Sequence, residues 1–304
     1  MVSIANEHYF VNLKRTAIEL PVSYNTGLAD QLRNRVILIK FGGNAMVDES
    51  AKQRVIRDII HLKSLGIRPV VVHGGGPVIK NMLEVAQIES NFVEGHRVTD
   101  AEAIDYVEMA LSGHVNGDIV SMINRYDARA VGLSGKDGPM VRAKKRFHRQ
   151  IKEGKTENID LGYVGDVGSV NTDLIQTLIG ENYLPVVSPV SMDAKGDTYN
   201  INADMFAGHL AGALQAARYV ALTDVHGVMR DPENPSTLIR SITASEAKEE
   251  MGDIIKGGMI PKVESGLIAL RQGAQSAHII NGLHPNALLE ELLTEEGCGT
   301  LIRP

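Results

Sequence analysis

The chain of 304 residues carries 31 lysines and arginines against 37 aspartates and glutamates, a net charge of −6. Such mild acidity argues against nucleic acid or an anionic membrane as the main partner, because both are bound by concentrated positive charge. A hydrophobic fraction of 43% excludes general disorder, and a single cysteine, Cys298, excludes an internal disulfide and a multi-cysteine zinc site.

Residues 1–34 show loose helical patterning and no clear strand, and read as an N-terminal extension. Its opening, MVSIANEHYFVNLKRTAIEL, lacks the basic-then-apolar order of a signal peptide, and no apolar run approaches the length of a membrane helix. A cytoplasmic protein is expected. From Val36 the texture changes: VILIKFGG is a buried strand ending in a glycine turn. DESAKQRVIRDIIHLKSLG follows, with Val55, Ile56, Ile59, Ile60 and Leu62 at helical spacing and Gly66 as its stop. RPVVVHGGGPVIKNMLEVA repeats the theme, with Pro77 near the first helical position. Further on, ARAVGLSG, LPVVSPV, ARYVALTD and SAHIING read as strands, and 115–127, 171–182, 203–216, 260–273 and 285–293 as helices. This alternation predicts an α/β fold with crossover units and a mainly parallel sheet covered on both faces. Residues 140–170 predict antiparallel ribbons instead. Their basic run from Arg142 to Lys155 reads as a solvated hairpin, since no aromatic ladder interleaves it.

Open parallel sheets bind ligands at the carboxyl ends of their strands. Two glycine clusters fall there, Gly42–Gly43 and Gly74–Gly76, and together they point to an anion approached by backbone N–H groups. Neither a Walker A loop nor G-x-G-x-x-G is present at these places. H-E-x-x-H, G-x-S-x-G and the protein-kinase motifs are also missing. Lys40 ends an apolar strand beside Gly42, where a half-buried ammonium is costly unless it faces an anion. Lys262 stands near a helix start, against the macrodipole, so a bound anion would compensate it. In YNINAD, Asn202 and Asp204 suit the cap and first turn of a helix, but Asp204 equally suits an acceptor for lysines. Spacing leaves both readings open.

In chain order, IKFGGNAM, VVHGGGP, GHRVTD, VGLSGKDG, GYVGDVG, YNINAD, LTDVHGV, GGMIPKV and GCGTLI resemble motifs of the amino acid kinase family, in its acetylglutamate kinase branch. The resemblance covers about residues 36–304. It implies a three-layer αβα sandwich on a mainly parallel sheet, with an amino-acid lobe over 35–190 and an ATP lobe over 191–304. The implied reaction moves the γ-phosphoryl of ATP to the side-chain carboxylate of N-acetyl-L-glutamate, the second step of arginine biosynthesis. Mg2+ would be held mainly by the nucleotide phosphates, with no metal site of the protein's own. Lys40 and Lys262 match lysines that neutralise the transferring phosphoryl group, and Asp204 the aspartate that orients them. Gly43, Gly75 and Gly76 would offer N–H groups to phosphoryl and substrate oxygens. Arg97 and Asn200 would bind N-acetyl-L-glutamate. Asp224, Gly227, Gly257 and Gly258 fall where the family binds nucleotide. His73 and His96 are expected to pack or orient.

The resemblance also implies a homo-oligomer, a dimer or a hexamer. In arginine-inhibited members an N-terminal helix builds the hexamer and a C-terminal loop holds L-arginine. Here Glu296 and Gly297 match that loop, while Pro21 would interrupt a continuous N-terminal helix. Phe41, Met205 and His226 depart from the residues usual at their positions. The alternatives are a relative acting on another acceptor, such as carbamate, a phosphate or carrier-bound aminoadipate, and a non-catalytic regulatory member.

Overall fold

The computed structural model describes residues 25–89, 92–93, 96–152 and 155–304. Most of the expected N-terminal extension, residues 1–24, lies outside them. Helix α1 (Thr26–Leu32) precedes β1 (Val36–Phe41), a 3-10 turn (Gly43–Met46) and α2 (Glu49–Ser64). Next come β2 (Arg68–His73), α3 (Gly76–Val85) and a ribbon of β3 (Phe92–Val93) and β4 (His96–Arg97). A long helix follows as α4 (Ala101–Glu108), a π-helical segment (Met109–Val115) and α5 (Asn116–Asn124). The middle of the chain holds β5 (Ala130–Ser134), β6 (Val141–Lys152), β7 (Lys155–Val170), α6 (Asp173–Gly180), β8 (Leu184–Ser188), β9 (Val190–Met192) and β10 (Thr198–Ile201). The last part runs through α7 (Ala203–Ala213), β11 (Arg218–Thr223), β12 (Ser241–Thr243) and α8 (Ala244–Glu249). It ends with α9 (Ile260–Arg271), β13 (Ala277–Asn281), α10 (Ala287–Leu293) and β14 (Thr300–Arg303).

Eight strands form one sheet in the order β12-β14-β13-β11-β1-β2-β8-β5. Every pairing in it is parallel except β13 with β14. Period-two alternation then divides β1 between two cores: Ile37, Ile39 and Phe41 join α2, α5 and α10, while Leu38 joins α7 and α9. Helices therefore cover both faces, as the alternation of elements predicts.

The ribbons expected over 140–170 are β6 and β7, which close into a small barrel with β9 and β10. The basic run is partly neutralised by Lys145–Asp160 at 2.7 Å and Arg146–Asp166 at 2.8 Å, which fits a solvated hairpin. The helix expected to start near residue 115 begins at Ala101. Asp100 caps it by accepting from the N–H groups of Glu102 and Ala103, and the π-helical turn carries it past Gly113. Among the described residues, no helix is long and apolar enough to cross a membrane.

Candidate active site

The carboxyl ends of β1, β2 and β11 lie side by side at the middle of the sheet and carry the KFGG, HGGGP and LTD segments. Lys40 leaves β1 here, its Nζ 3.0 Å from Asp204 Oδ1, and each residue is only 6% exposed. A Cβ on Gly42 would stand 2.6 Å from that Nζ, so a side chain there would displace the ammonium. Asn202 caps α7 by accepting from the N–H groups of Asp204 and Met205 at 2.8 and 3.2 Å. Of the two residues of YNINAD, Asn202 is the cap, and the Asp204 carboxylate is left to face Lys40. The ion pair is close but poorly aligned, and Asp204 Oδ1 receives no hydrogen bond. A buried pair so sparsely hydrogen-bonded contributes little to stability, and it suits an acidic group whose task is to hold an ammonium in place.

Lys262 is the third residue of α9, and its Nζ donates to the Gly258 carbonyl at 3.1 Å. Burial lowers its pKa below the usual lysine value. Asp204 opposes that shift, Lys40 adds to it, and Asp224 opposes it. The two lysines and two aspartates therefore share one electrostatic neighbourhood.

A cavity of about 370 Å³ opens beside it, lined among others by Asp224, Gly227, Met229, Gly258 and Lys262. Gly257 lies in the adjoining 3-10 turn (Gly257–Met259) without lining the cavity. A smaller cavity of about 120 Å³ is bordered by Gly43, Gly75, Gly76, Pro77 and His114. Asn44 ties the β1 loop to the larger cavity, donating from Nδ2 to Asp224 Oδ2 at 3.0 Å. Arg97 and Asn200 line neither cavity. Both belong to segments laid on β7, Asn200 paired with Val164 and Thr99, two residues past Arg97, paired with Gly162. Burial also lowers the pKa of Arg97.

His73 is fully buried, and burial pushes its pKa down to about 4. Its neutral ring donates from Nδ1 to the Gly74 carbonyl at 2.8 Å and accepts at Nε2 from the Asn116 amide at 3.0 Å. It thus orients the HGGGP backbone. The side chain of His96 lies outside the described set. Glu296 and Gly297 sit far along the chain, in the loop before β14, where Gly297 accepts from Arg240 Nη1 at 3.1 Å. Among the described residues, no group of three or more His, Cys, Asp or Glu is placed to hold a metal ion. Sequence reasoning passed over Asn44, Asn116, Tyr219 and Ser265; only the polar residue directly after GG in GGNAM offered a signal for Asn44.

The model of the "Amino acid kinase family" matches residues 35–281. The acetylglutamate kinase of Methanocaldococcus jannaschii is 52% identical over 270 residues, 88% of this chain and 90% of that protein. The acetylglutamate kinase of Syntrophobacter fumaroxidans is 49% identical over 271 residues, again 88% and 90%. Among solved structures, N-acetylglutamate synthase from Neisseria gonorrhoeae, complexed with coenzyme A and N-acetyl-glutamate, superposes with a TM-score of 0.76 at 23% identity. That match covers 92% of this chain but only 62% of the synthase, and at such identity it speaks for the fold alone. Carbamate kinase from Giardia lamblia bound to AMP-PNP matches 88% of this chain and 98% of its own, at 17% identity and a TM-score of 0.62. With its parallel sheet, covered faces and glycine-lysine strand ends, this chain belongs to the amino acid kinase family.

Proposed function

We propose that this protein transfers the γ-phosphoryl group of ATP to the side-chain carboxylate of N-acetyl-L-glutamate, in arginine biosynthesis. The observation that carries the reading is the buried Lys40–Asp204 pair at the strand ends, beside a cavity of nucleotide size that Lys262 and Asp224 line. The names of relatives near 50% identity support the choice of acceptor.

Phosphoryl transfer through a loose transition state asks for positioning and positive charge rather than a covalent nucleophile. The acceptor carboxylate is already ionised at neutral pH, so no strong general base is needed. In this reading Lys40 and Lys262 flank the transferring group and Asp204 holds both ammonium groups. Gly43, Gly75 and Gly76 offer N–H groups to the oxygens from the acceptor side. Asp224, Gly227, Gly257 and Gly258 border the nucleotide. Residues 35–190 form the acceptor half and 191–304 the nucleotide half. Asp224, which lines the larger cavity, would face a Mg2+ whose main ligands are the nucleotide phosphates, the usual arrangement for this ion. That ion would neutralise charge between the β- and γ-phosphates. A kinase of this pathway is placed in the cytoplasm.

The test is ATP-dependent acyl-phosphate formation, trapped with hydroxylamine, over a panel of acceptors. N-acetylglutamate should be turned over best; preference for carbamate, aspartate or a carrier-bound acid would reassign the substrate. Arg97→Lys keeps the charge but loses the planar fork suited to a carboxylate. It should raise KM for N-acetylglutamate and leave KM for ATP nearly unchanged. The reverse pattern would move Arg97 out of the acceptor site.

The same reading extends to L-arginine as inhibitor, with Glu296 and Gly297 as its contacts. One observation favours it. Asn25, where the N-terminal segment enters the described fold, donates from its backbone to the Leu293 carbonyl at 2.8 Å and from Nδ2 to Glu295 at 3.2 Å. The extension therefore joins the fold next to this loop. Arginine should lower activity in the same assay, and sedimentation should show a hexamer that falls to dimers when residues 1–24 are removed. A full-length dimer indifferent to arginine overturns this part.

A further inference from the structure

Tyr219 is the largest of the fully buried side chains, set in β11 within the core shared by α7 and α9. A phenol hydroxyl placed there costs free energy unless it is hydrogen-bonded. It is bonded to one partner: its oxygen lies 2.8 Å from Ser265 Oγ. Ser265 Oγ in turn donates to the carbonyl oxygen of Lys262 at 2.7 Å. Since a carbonyl only accepts, the serine proton is committed to it, and the tyrosine must be the donor to serine. One orientation satisfies the whole chain. Burial and the nearby Asp204 carboxylate raise the Tyr219 pKa well above its usual value, so the phenol keeps its proton.

The other side of Ser265 is closed as well. A Cβ on Gly208 of α7 would collide with the Ser265 backbone, so the two helices touch main chain to main chain. Ser265 is thus clamped between Gly208 and the Tyr219 hydroxyl, one helical turn past Lys262. On the sheet, Tyr219 pairs with Leu38, two residues before Lys40 on β1. The path from one lysine to the other runs from β1 across the ladder to Tyr219, through Ser265, and into the first turn of α9.

We propose that Tyr219 is a positioning residue for the transfer reaction, its hydroxyl fixing the first turn of α9 through Ser265 and so the place of the Lys262 ammonium. This rests on the reading of Lys262 as a catalytic residue. Small displacements of such a group have large kinetic consequences, because stabilisation of the transferring charge depends on preorganised geometry.

The test compares Tyr219→Phe, Ser265→Ala, their combination, Lys262→Ala, and Tyr219→Phe combined with Lys262→Ala, all in the full chain. Tyr219→Phe and Ser265→Ala should each lower kcat about three- to tenfold, the loss of one neutral hydrogen bond. KM for ATP and for N-acetylglutamate should change less than about twofold, since the effect lies on the transition state. The double variant should be no worse than the poorer single one, because both cut the same chain. Adding Tyr219→Phe to Lys262→Ala should change nothing further. Thermal melts accompany each variant, and Ser265→Ala carries the test if the phenylalanine variant folds poorly. Normal kcat in both single variants overturns the inference, as does an undiminished loss from Tyr219→Phe in the Lys262→Ala background. Full activity of Lys262→Ala is a distinct result: it overturns the reading of Lys262 itself, and this inference with it.

Discussion

Replacing Lys262 with alanine lowers kcat by about 10²–10³-fold while KM for N-acetylglutamate stays within a few-fold, and Lys40→Ala behaves in the same way. Those are the magnitudes expected when one donor to a developing charge is lost and ground-state binding is spared. The pH dependence carries a second signature. Burial lowers the pKa of Lys262 below the ordinary lysine value, so its charged form is lost at a lower pH than for an exposed lysine. The charged form is the useful one, so wild-type kcat should fall as pH rises through that lowered value. In Lys262→Ala this alkaline limb should be gone. Rate profiles from about pH 7 to about pH 10 check both points. Near-normal turnover in both lysine variants removes the proposed catalytic assignment.

The second large effect falls on stability. Asp204→Ala leaves the Lys40 ammonium buried without its carboxylate, and breaking a buried pair from one side typically costs about 3–5 kcal/mol. Denaturant midpoints should show that loss together with a fall in kcat. Lys40→Met combined with Asp204→Ala replaces the pair by apolar atoms and should recover most of the stability without recovering activity. The two outcomes separate the structural cost of the pair from its part in the reaction. A single variant as stable as the parent would mean that water reaches Lys40 and that the pair is not sealed.

The division of labour between Asn202 and Asp204 explains why local sequence was ambiguous. Both residues suit a helix start, and the cap bonds of Asn202 are local enough to be expected from the YNINAD string. The partner of Asp204 lies on β1, more than 160 positions earlier in the chain, and no spacing rule reaches that far. Arg97 and Asn200 show the same limit: short strands of two to four residues, β4 and β10, carry them, and the segments of both lie along β7. Strands this brief hold too few alternations to be seen in a periodicity. Asn44 and Tyr219 were passed over for a related reason, since each owes its importance to one distant polar partner.

What the sequence determined by itself is the layer architecture and the set of strand ends that carry glycine and lysine. Runs such as VILIKF and VVVH can only be buried, helices of alternating burial must cover them, and glycine clusters follow directly at their ends. Tertiary structure alone decided which charges meet. Strand order sets β11 beside β1 although about 180 residues separate them, and that adjacency carries Asp224 and the chain from Tyr219 to Lys262 to the side of Lys40. Hydrophobic patterning reports which face of an element is buried. It does not encode which neighbour the face is buried against, and electrostatics, steep in distance and dependent on burial, follows the neighbour.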